Sequence, residues 1–128
     1  MKTAHLLALF AASLFSFALT PMQAQESSLF RHVVCFEFKK NTTEDQYMEV
    51  IGSFMELKNK IDTIVDIEWG TSENVEPLND GFTHIFFVTF KNKAGLEAYL
   101  PHPAHEEFKT ILKPHLKKVF VFDYTPQD

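Results

Sequence analysis

The sequence predicts a domain of the α+β class, in which four antiparallel strands form one sheet with helices on one face. Four stretches rich in β-branched and aromatic residues alternate with amphipathic helical segments, in the order strand, helix, strand, strand, helix, strand. The strands are apolar on both faces, although the chain has helical segments enough to cover only one. A second copy of the chain is therefore expected to cover the other face.

The first 24 residues are interpreted as a secretory signal peptide, which leaves residues 25–128 as one domain. Lys2 supplies the positive charge, residues 6–19 form an uncharged apolar run, and cleavage is expected after Ala24. The run is shorter than the ~20 residues that span a bilayer, so no stable membrane insertion is expected after its removal. The pattern predicts an exported protein, either periplasmic or secreted.

The first strand is predicted over residues 30–39 and is followed by a helix of about five turns. One face of this strand carries His32, Val34, Phe36 and Phe38. Residues 41–43 offer helix caps, and Asp45 or Gln46 can complete a capping box. The apolar residues that follow recur at helical spacing as far as Ile61.

The second and third strands are predicted on either side of a long loop. The second strand runs from about residue 64 to residue 69 and is closed by Gly70. The stretch 71–80 is polar and reads as a loop, and Asp80 and Gly81 form a turn signal. The third strand, residues 82–90, carries on one face Phe82, His84, Phe86, Val88 and Phe90.

The second helical region is broken in two by prolines. Asn92 caps a short helix that stops before Pro101, and Pro103 opens a further helix that must end by Pro114. Residues 118–124 form the last strand. The resulting order, βαββαβ, is that of the ferredoxin-like split motif.

The composition of the strands predicts a homodimer. Residues 33–36, 85–88 and 119–122 are apolar on both faces. Burial of each Phe or Val side chain stabilises an association by ~1.5–3 kcal/mol, and a second copy can pack sheet against sheet around a two-fold axis. The alternative is a monomer whose strands curl enough to close the core.

Charge and cysteine content restrict the partners. Without Lys2, eleven basic side chains stand against seventeen acidic ones, and no basic cluster is present. Such a domain repels phosphate backbones, so nucleic acid is not expected as a partner. The lone Cys35 cannot form an internal disulfide and is interpreted as a small buried residue rather than a reactive thiol.

His105 and Tyr99 are the candidate catalytic residues. His105 lies on the same stripe of its helix as Phe108, and Tyr99 precedes it across the proline break. A neutral imidazole suits a general base near pH 7, and a tyrosine hydroxyl can hold a carbonyl oxygen as negative charge develops. A pocket for a small apolar or aromatic ligand is predicted between helices and sheet, lined by His32, His84, Phe54, Phe86 and Phe108.

Each of these residues also has a purely structural interpretation. Strand histidines among phenylalanines are often core residues, and His32 and His84 need not meet in an antiparallel sheet. His102 and His105 are three residues apart, but the proline between them makes a shared metal site unfavourable, and no carboxylate or thiol completes a ligand set. No metal and no cofactor are therefore predicted.

Four segments resemble the stress-responsive α/β-barrel family. They are residues 31–34, residues 81–85 (Gly-Phe-Thr-His-Ile), residues 102–105 (His-Pro-Ala-His) and residues 122–124 (Phe-Asp-Tyr). The resemblance implies a ferredoxin-like dimer that forms a shared α/β barrel. From a cofactor-independent polyketide cyclase of that family it implies a base at His105, assisted by Tyr99, with His32 and His84 in the pocket. The implied reaction is an aldol-type ring closure.

Two functions are compatible with these observations. The first is an exported stress-response-type dimer that binds a small hydrophobic or aromatic molecule. The alternative is a cofactor-independent cyclase or lyase that uses His105 and Tyr99. The position of the His105 imidazole discriminates between them. The enzyme needs this imidazole in the pocket, within hydrogen-bond distance of Tyr99 or a bound ligand, and an imidazole that points to solvent or bonds to the backbone would not serve as its base.

Overall fold

The computed structural model describes residues 28–127 and contains four strands and three helices. The elements are β1 (Phe30–Phe38), α1 (Glu44–Lys60), β2 (Ile64–Thr71), β3 (His84–Phe90), α2 (Lys93–Tyr99), α3 (Pro103–Leu112) and β4 (Leu116–Tyr124). The α+β prediction is thus confirmed. The predicted signal peptide, residues 1–24, lies outside the described residues.

The four strands form one antiparallel sheet in the order β2-β3-β1-β4. The two central strands, β1 and β3, come from the two halves of the chain, and each is flanked by an edge strand. This is the ferredoxin-like arrangement that the order of elements predicts. None of the helices within residues 28–127 is long and apolar enough to cross a membrane.

Local side-chain contacts set the starts of the helices. The Thr43 hydroxyl accepts a hydrogen bond from the Gln46 amide, and the Gln46 side chain accepts one from the Thr43 amide, which confirms the capping box. Asn92 caps α2 through the Gly95 amide. His102 caps α3, and Pro103 occupies its first turn, where no amide hydrogen is needed.

The core lies between the helices and one face of the sheet. Phe54 of α1 stacks on Phe86 of β3, with ring centroids 4.2 Å apart, and lies 4.6 Å from Phe108 of α3. The predicted alternation of β1 is confirmed, since His32, Val34 and Phe36 are buried and their neighbours are less so. This face of the sheet is called the covered face.

The opposite face of the sheet, the open face, is apolar and solvent-accessible in a single chain. Phe120 and Phe122 of β4 are 48% and 56% exposed, and Ile85 of β3 is 41% exposed. Cys35, which pairs with both Ile85 and Phe120, is half-buried there, and burial raises the pKa of its thiol. The prediction of strands that are apolar on both faces is therefore confirmed.

The prediction that Phe82 belongs to the third strand and shares the face of His84 is wrong. The Phe82 amide donates to the Asn79 carbonyl in the loop turn, so it is not available to the strand ladder. The Phe82 ring lies 6.1 Å from that of Phe120, on the open face. The strand begins at His84 instead.

Two further strand boundaries differ from the prediction. Gly70 does not close β2, because it pairs with Ile85 and the strand continues to Thr71. The last strand begins at Leu116, which pairs with Phe38, two residues before the predicted start. Both errors come from residue types that are unfavourable in isolated strands but tolerated where a partner strand continues.

Candidate functional site

A cavity of about 550 Å³ opens between α3, the end of α2 and strands β1 and β4. Five of the predicted site residues line it, namely His32, Phe54, Tyr99, His105 and Phe108. Its apolar lining is completed by Val34, Phe36, Leu100, Leu112, Leu116, Val119 and Val121. The structure thus brings both candidate catalytic residues into one mostly apolar cavity.

Tyr99 lines this cavity, and its hydroxyl is buried. The residue is 0% exposed, and within residues 28–127 its hydroxyl has no hydrogen-bond partner. Burial raises the pKa of Tyr99, so the hydroxyl is protonated and can donate a hydrogen bond. An unsatisfied buried hydroxyl costs about 1–3 kcal/mol. A ligand with an acceptor atom at this position would recover that cost.

His105 is held in one tautomer by the backbone. Its Nδ1 lies 2.9 Å from the Leu100 carbonyl oxygen, which can only accept, so Nδ1 carries the proton and Nε2 does not. The proline break makes this contact possible. Pro103 lacks an amide hydrogen and the Ala104 amide donates to His102, so the Leu100 carbonyl is free for the imidazole.

The environment of His105 keeps its imidazole neutral near pH 7. Burial is the largest influence and lowers the pKa, while the hydrogen bond to the Leu100 carbonyl raises it in part. The His105 and Tyr99 ring centroids are 4.2 Å apart, although the two side chains share no hydrogen bond. The contact expected of an enzyme between His105 and Tyr99 is therefore not formed, and the bond to the backbone counts against His105 as a base, although it occupies Nδ1 alone.

His32 and Asp123 form a pair that the sequence analysis did not single out. His32 is 6% exposed, and its Nδ1 lies 2.5 Å from Asp123 Oδ1, directly across the β1–β4 ladder. The His32 ring is 5.8 Å from that of Tyr99. In the sequence Asp123 is visible as a carboxylate that follows the apolar residues of the last strand. Its pairing with His32 depends on the register of β1 against β4, which the sequence does not reveal.

His84 and Phe86 do not join this cavity. His84 is paired with Phe36 and His32 with Val88, so the two histidines are four ladder positions apart, about 13 Å. His84 lines a second cavity of about 500 Å³ with Phe38, Tyr47 and Trp69. Burial lowers the pKa of His84. Phe86 is 0% exposed behind Phe54 and belongs to the core.

No group of three or more His, Cys, Asp or Glu side chains within residues 28–127 is placed to hold a metal ion. The Nδ1 atom of His102 accepts a hydrogen bond from the Ala104 amide, and the Nδ1 atom of His105 donates one to the Leu100 carbonyl. What the site offers is a neutral base, a neutral hydroxyl donor and apolar walls. Such a set can bind a carbonyl compound and can remove a proton from the carbon beside the carbonyl.

Comparison with known proteins gives a family for this arrangement. The model of the Stress responsive A/B Barrel Domain matches residues 30–126. The stress-response A/B barrel domain-containing protein HS1 of Arabidopsis thaliana is 38% identical over 96 residues, which cover 75% of this chain and 88% of the relative. Olivetolic acid cyclase of Cannabis sativa is 33% identical over 97 residues, which cover 76% of this chain and 96% of the relative.

Solved structures agree on the fold. The hydroxynitrile lyase from Passiflora edulis superposes with a TM-score of 0.72 at 25% identity and covers 80% of this chain and 96% of its own. A protein from Bacteroides fragilis, described as dimeric with a ferredoxin-like fold, superposes with a TM-score of 0.61 at 24% identity and covers 77% of this chain and 96% of its own. These likenesses confirm the ferredoxin-like fold.

Proposed function

The chain belongs to the stress-responsive A/B barrel family, and we propose that it binds a small apolar molecule that carries a hydrogen-bond acceptor, such as an aromatic ketone. The observation that carries this proposal is the hydroxyl of Tyr99, a residue that lines the cavity, because this hydroxyl is buried and has no partner within residues 28–127. A carbonyl oxygen bound at this hydroxyl would satisfy it, and the rest of the ligand would contact the apolar walls.

The apolar character of the ligand follows from those walls. Phe54 of α1 and Phe108 of α3 line the cavity, together with Val119 and Val121 of β4. The two valines are each 47% exposed, so a bound apolar group would remove their surface from water. Tyr99, His32 and His105 supply polar groups at one end, and a few polar groups among apolar walls are the pattern of a small-molecule site.

Acetophenone and ethylbenzene form a matched pair of probes for this proposal, because they differ only by the carbonyl group. We expect acetophenone to bind more tightly, by about fivefold for one hydrogen bond of ~1 kcal/mol. Tyr99→Phe should abolish the difference, as measured by NMR titration. Equal binding of both probes to the unmodified protein would overturn the proposal.

The functional unit is proposed to be a homodimer. Phe120, Phe122 and Ile85 form an exposed apolar patch on the open face, and a second copy is the partner that matches it. Phe120→Asp should split the dimer in sedimentation analysis, because it places a charge in the contact. Val75→Asp, at a loop position that is 89% exposed, is the matched control and should leave the dimer intact. A stable monomer of the unmodified chain would contradict this part.

A second candidate function is enzymatic, and the tautomer of His105 favours it. Nε2 of a neutral His105 would take a proton from the carbon beside a carbonyl, while the Tyr99 hydroxyl donates to the carbonyl oxygen as negative charge develops. Two relatives are named as a cyclase and a lyase. This chain would therefore act on a carbonyl compound without a cofactor.

Exchange of the acetophenone methyl protons in D₂O separates binding from catalysis. An enzyme should accelerate the exchange, and His105→Ala and Tyr99→Phe should both lose the acceleration while remaining folded. The exchange is followed by proton NMR. Binding of acetophenone without accelerated exchange would leave the binding function and exclude the enzymatic one.

Export is proposed from the amino-terminal pattern alone. Lys2 and the apolar run over residues 6–19 precede the expected cleavage site after Ala24. The mature protein should then begin at Gln25 and be found outside the cytoplasm, which amino-terminal sequencing of the purified protein and cell fractionation test. A protein that retains Lys2 in the cytoplasm would contradict export.

A further inference from the structure

We propose that the ligand of this cavity is a carboxylate with an elongated apolar body, and that its charged group lies beside Lys113, at the end of the cavity remote from Tyr99. This inference rests on the proposed function, since it concerns the same cavity. It goes further in naming a second polar end and the chemical class of molecule that joins the two.

One stripe of α3 lines the cavity over the whole length of the helix. It carries His105, Phe108, Lys109, Leu112 and Lys113, which recur at the three- and four-residue spacing of a single helix face. Lys113 keeps helical backbone angles at the end of α3. The eight-residue separation of His105 and Lys113 therefore corresponds to about 12 Å along the helix axis. The stripe is polar at one end, apolar in the middle and cationic at the other end.

The basic and acidic residues that line the cavity lie at opposite ends of it. Four of the twelve Lys and Arg side chains of the chain line it, namely Lys109, Lys113, Lys117 and Lys118. The acidic residue among the lining residues is Asp123, which bonds to His32 at the opposite end. Three of the four lysines at the rim of the cavity are paired with carboxylates, so within residues 28–127 the unpaired positive charge at the rim is that of Lys113.

Lys113 is the lysine of this rim that is free to hold a ligand. Lys109 pairs with Glu106 at 2.6 Å and Lys117 with Glu37 at 2.6 Å. Lys118 is paired with Asp80 and lies over the Phe82 ring. Within residues 28–127, Lys113 forms neither an ion pair nor a side-chain hydrogen bond.

The helix dipole does not explain this placement. Lysines in the last turn stabilise a helix at any position around its circumference. Here Lys109 and Lys113 share the stripe that lines the cavity with Phe108 and Leu112, and the aliphatic stem of a lysine can lie along apolar surface. Such stems let an ammonium group remain in water at the rim while the body of a ligand lies on Phe108 and Leu112. An anionic head group on an apolar chain has the matching shape.

Decanoate and decanamide test the charge assignment, since they share a chain and differ in the charge of the head group. We expect the unmodified full-length protein to bind decanoate about threefold more tightly, as measured by calorimetry. Lys113→Gln should remove the difference by weakening decanoate alone. Lys93→Gln, which alters an exposed lysine of α2 paired with Glu97, is the matched control and should preserve the difference.

The outcomes separate this inference from the proposed function. If both probes bind equally, or if Lys113→Gln leaves the preference for decanoate unchanged, the carboxylate assignment is wrong while the cavity proposal stands. If neither probe binds and acetophenone also fails to bind, the cavity proposal itself is overturned. A preference for decanoate that declines at higher salt concentration would support the ion pair.

Discussion

Two cavities lie on the covered face of the sheet, and each contains a histidine that the sequence analysis singled out. The cavity at His105 has a buried hydroxyl without a partner and an imidazole whose tautomer is fixed by the backbone. The cavity at His84 is lined by aromatic rings, and the Nδ1 of His84 bonds to the neighbouring Thr83 hydroxyl at 2.8 Å. Each imidazole is bonded at Nδ1 alone, so the two cavities differ in the unpartnered Tyr99 hydroxyl and in the fixed tautomer of His105.

Replacement of each histidine gives the largest predicted contrast between the cavities. His105→Ala should abolish any acceleration of acetophenone proton exchange, because no other side chain replaces its free Nε2. His84→Ala should leave the exchange rate and the affinity for acetophenone unchanged. Proton NMR measures both. Loss of exchange in His84→Ala, with the fold intact, would mean that the two cavities act as one site.

Tyr99→Phe should separate ligand affinity from stability. The substitution removes a hydroxyl that is buried without a partner, so the free protein should be more stable by about 1 kcal/mol in urea unfolding. The same variant should lose about fivefold in affinity for acetophenone. Tyr47→Phe, in the other cavity, is the matched control and should leave the affinity for acetophenone unchanged. A destabilised Tyr99→Phe protein would show that the hydroxyl has a structural partner.

The architecture was predictable from the sequence to a greater degree than the site. Strand periodicity, the Thr43 cap and the proline break at residues 101–103 each depend on local physical chemistry, and the structure confirms them. The pairing of His32 with Asp123 depends on the register between β1 and β4, which are 91 residues apart along the chain at this contact. The separation of His84 from His105 also depends on register. No local pattern contains that information.

Asp123→Asn should produce a smaller effect at the His105 cavity than either preceding change. The carboxylate accepts from Nδ1 of His32 and so fixes the orientation of the imidazole in the cavity. An amide can reproduce the hydrogen bond but not the charge, so we expect the acetophenone affinity to fall by about threefold. NMR titration measures it. Asp62→Asn, outside both cavities, is the matched control and should leave the affinity for acetophenone unchanged.

A change of pH near neutrality should have the smallest predicted effect on the rate of proton exchange. Burial lowers the pKa of His105 below its usual value of 6.5, so the base is already neutral at pH 7 and the exchange rate should be level above pH 6.5. The rate should fall at lower pH, as the imidazole gains a proton. Because the unfolded chain binds that proton more readily, the free energy of unfolding should decrease in the same range, and His105→Gln should reduce this decrease. A rate that already declines above pH 7 on acidification would contradict the lowered pKa.

Native mass spectrometry of the protein purified from its natural host tests both the dimer and the bound ligand. We expect a mass equal to two chains that each carry a small molecule, which is released on unfolding and is displaced by excess acetophenone. The chain mass also reports whether cleavage has occurred after Ala24. A stable monomer, or a dimer that remains empty even in saturating acetophenone, would contradict the account.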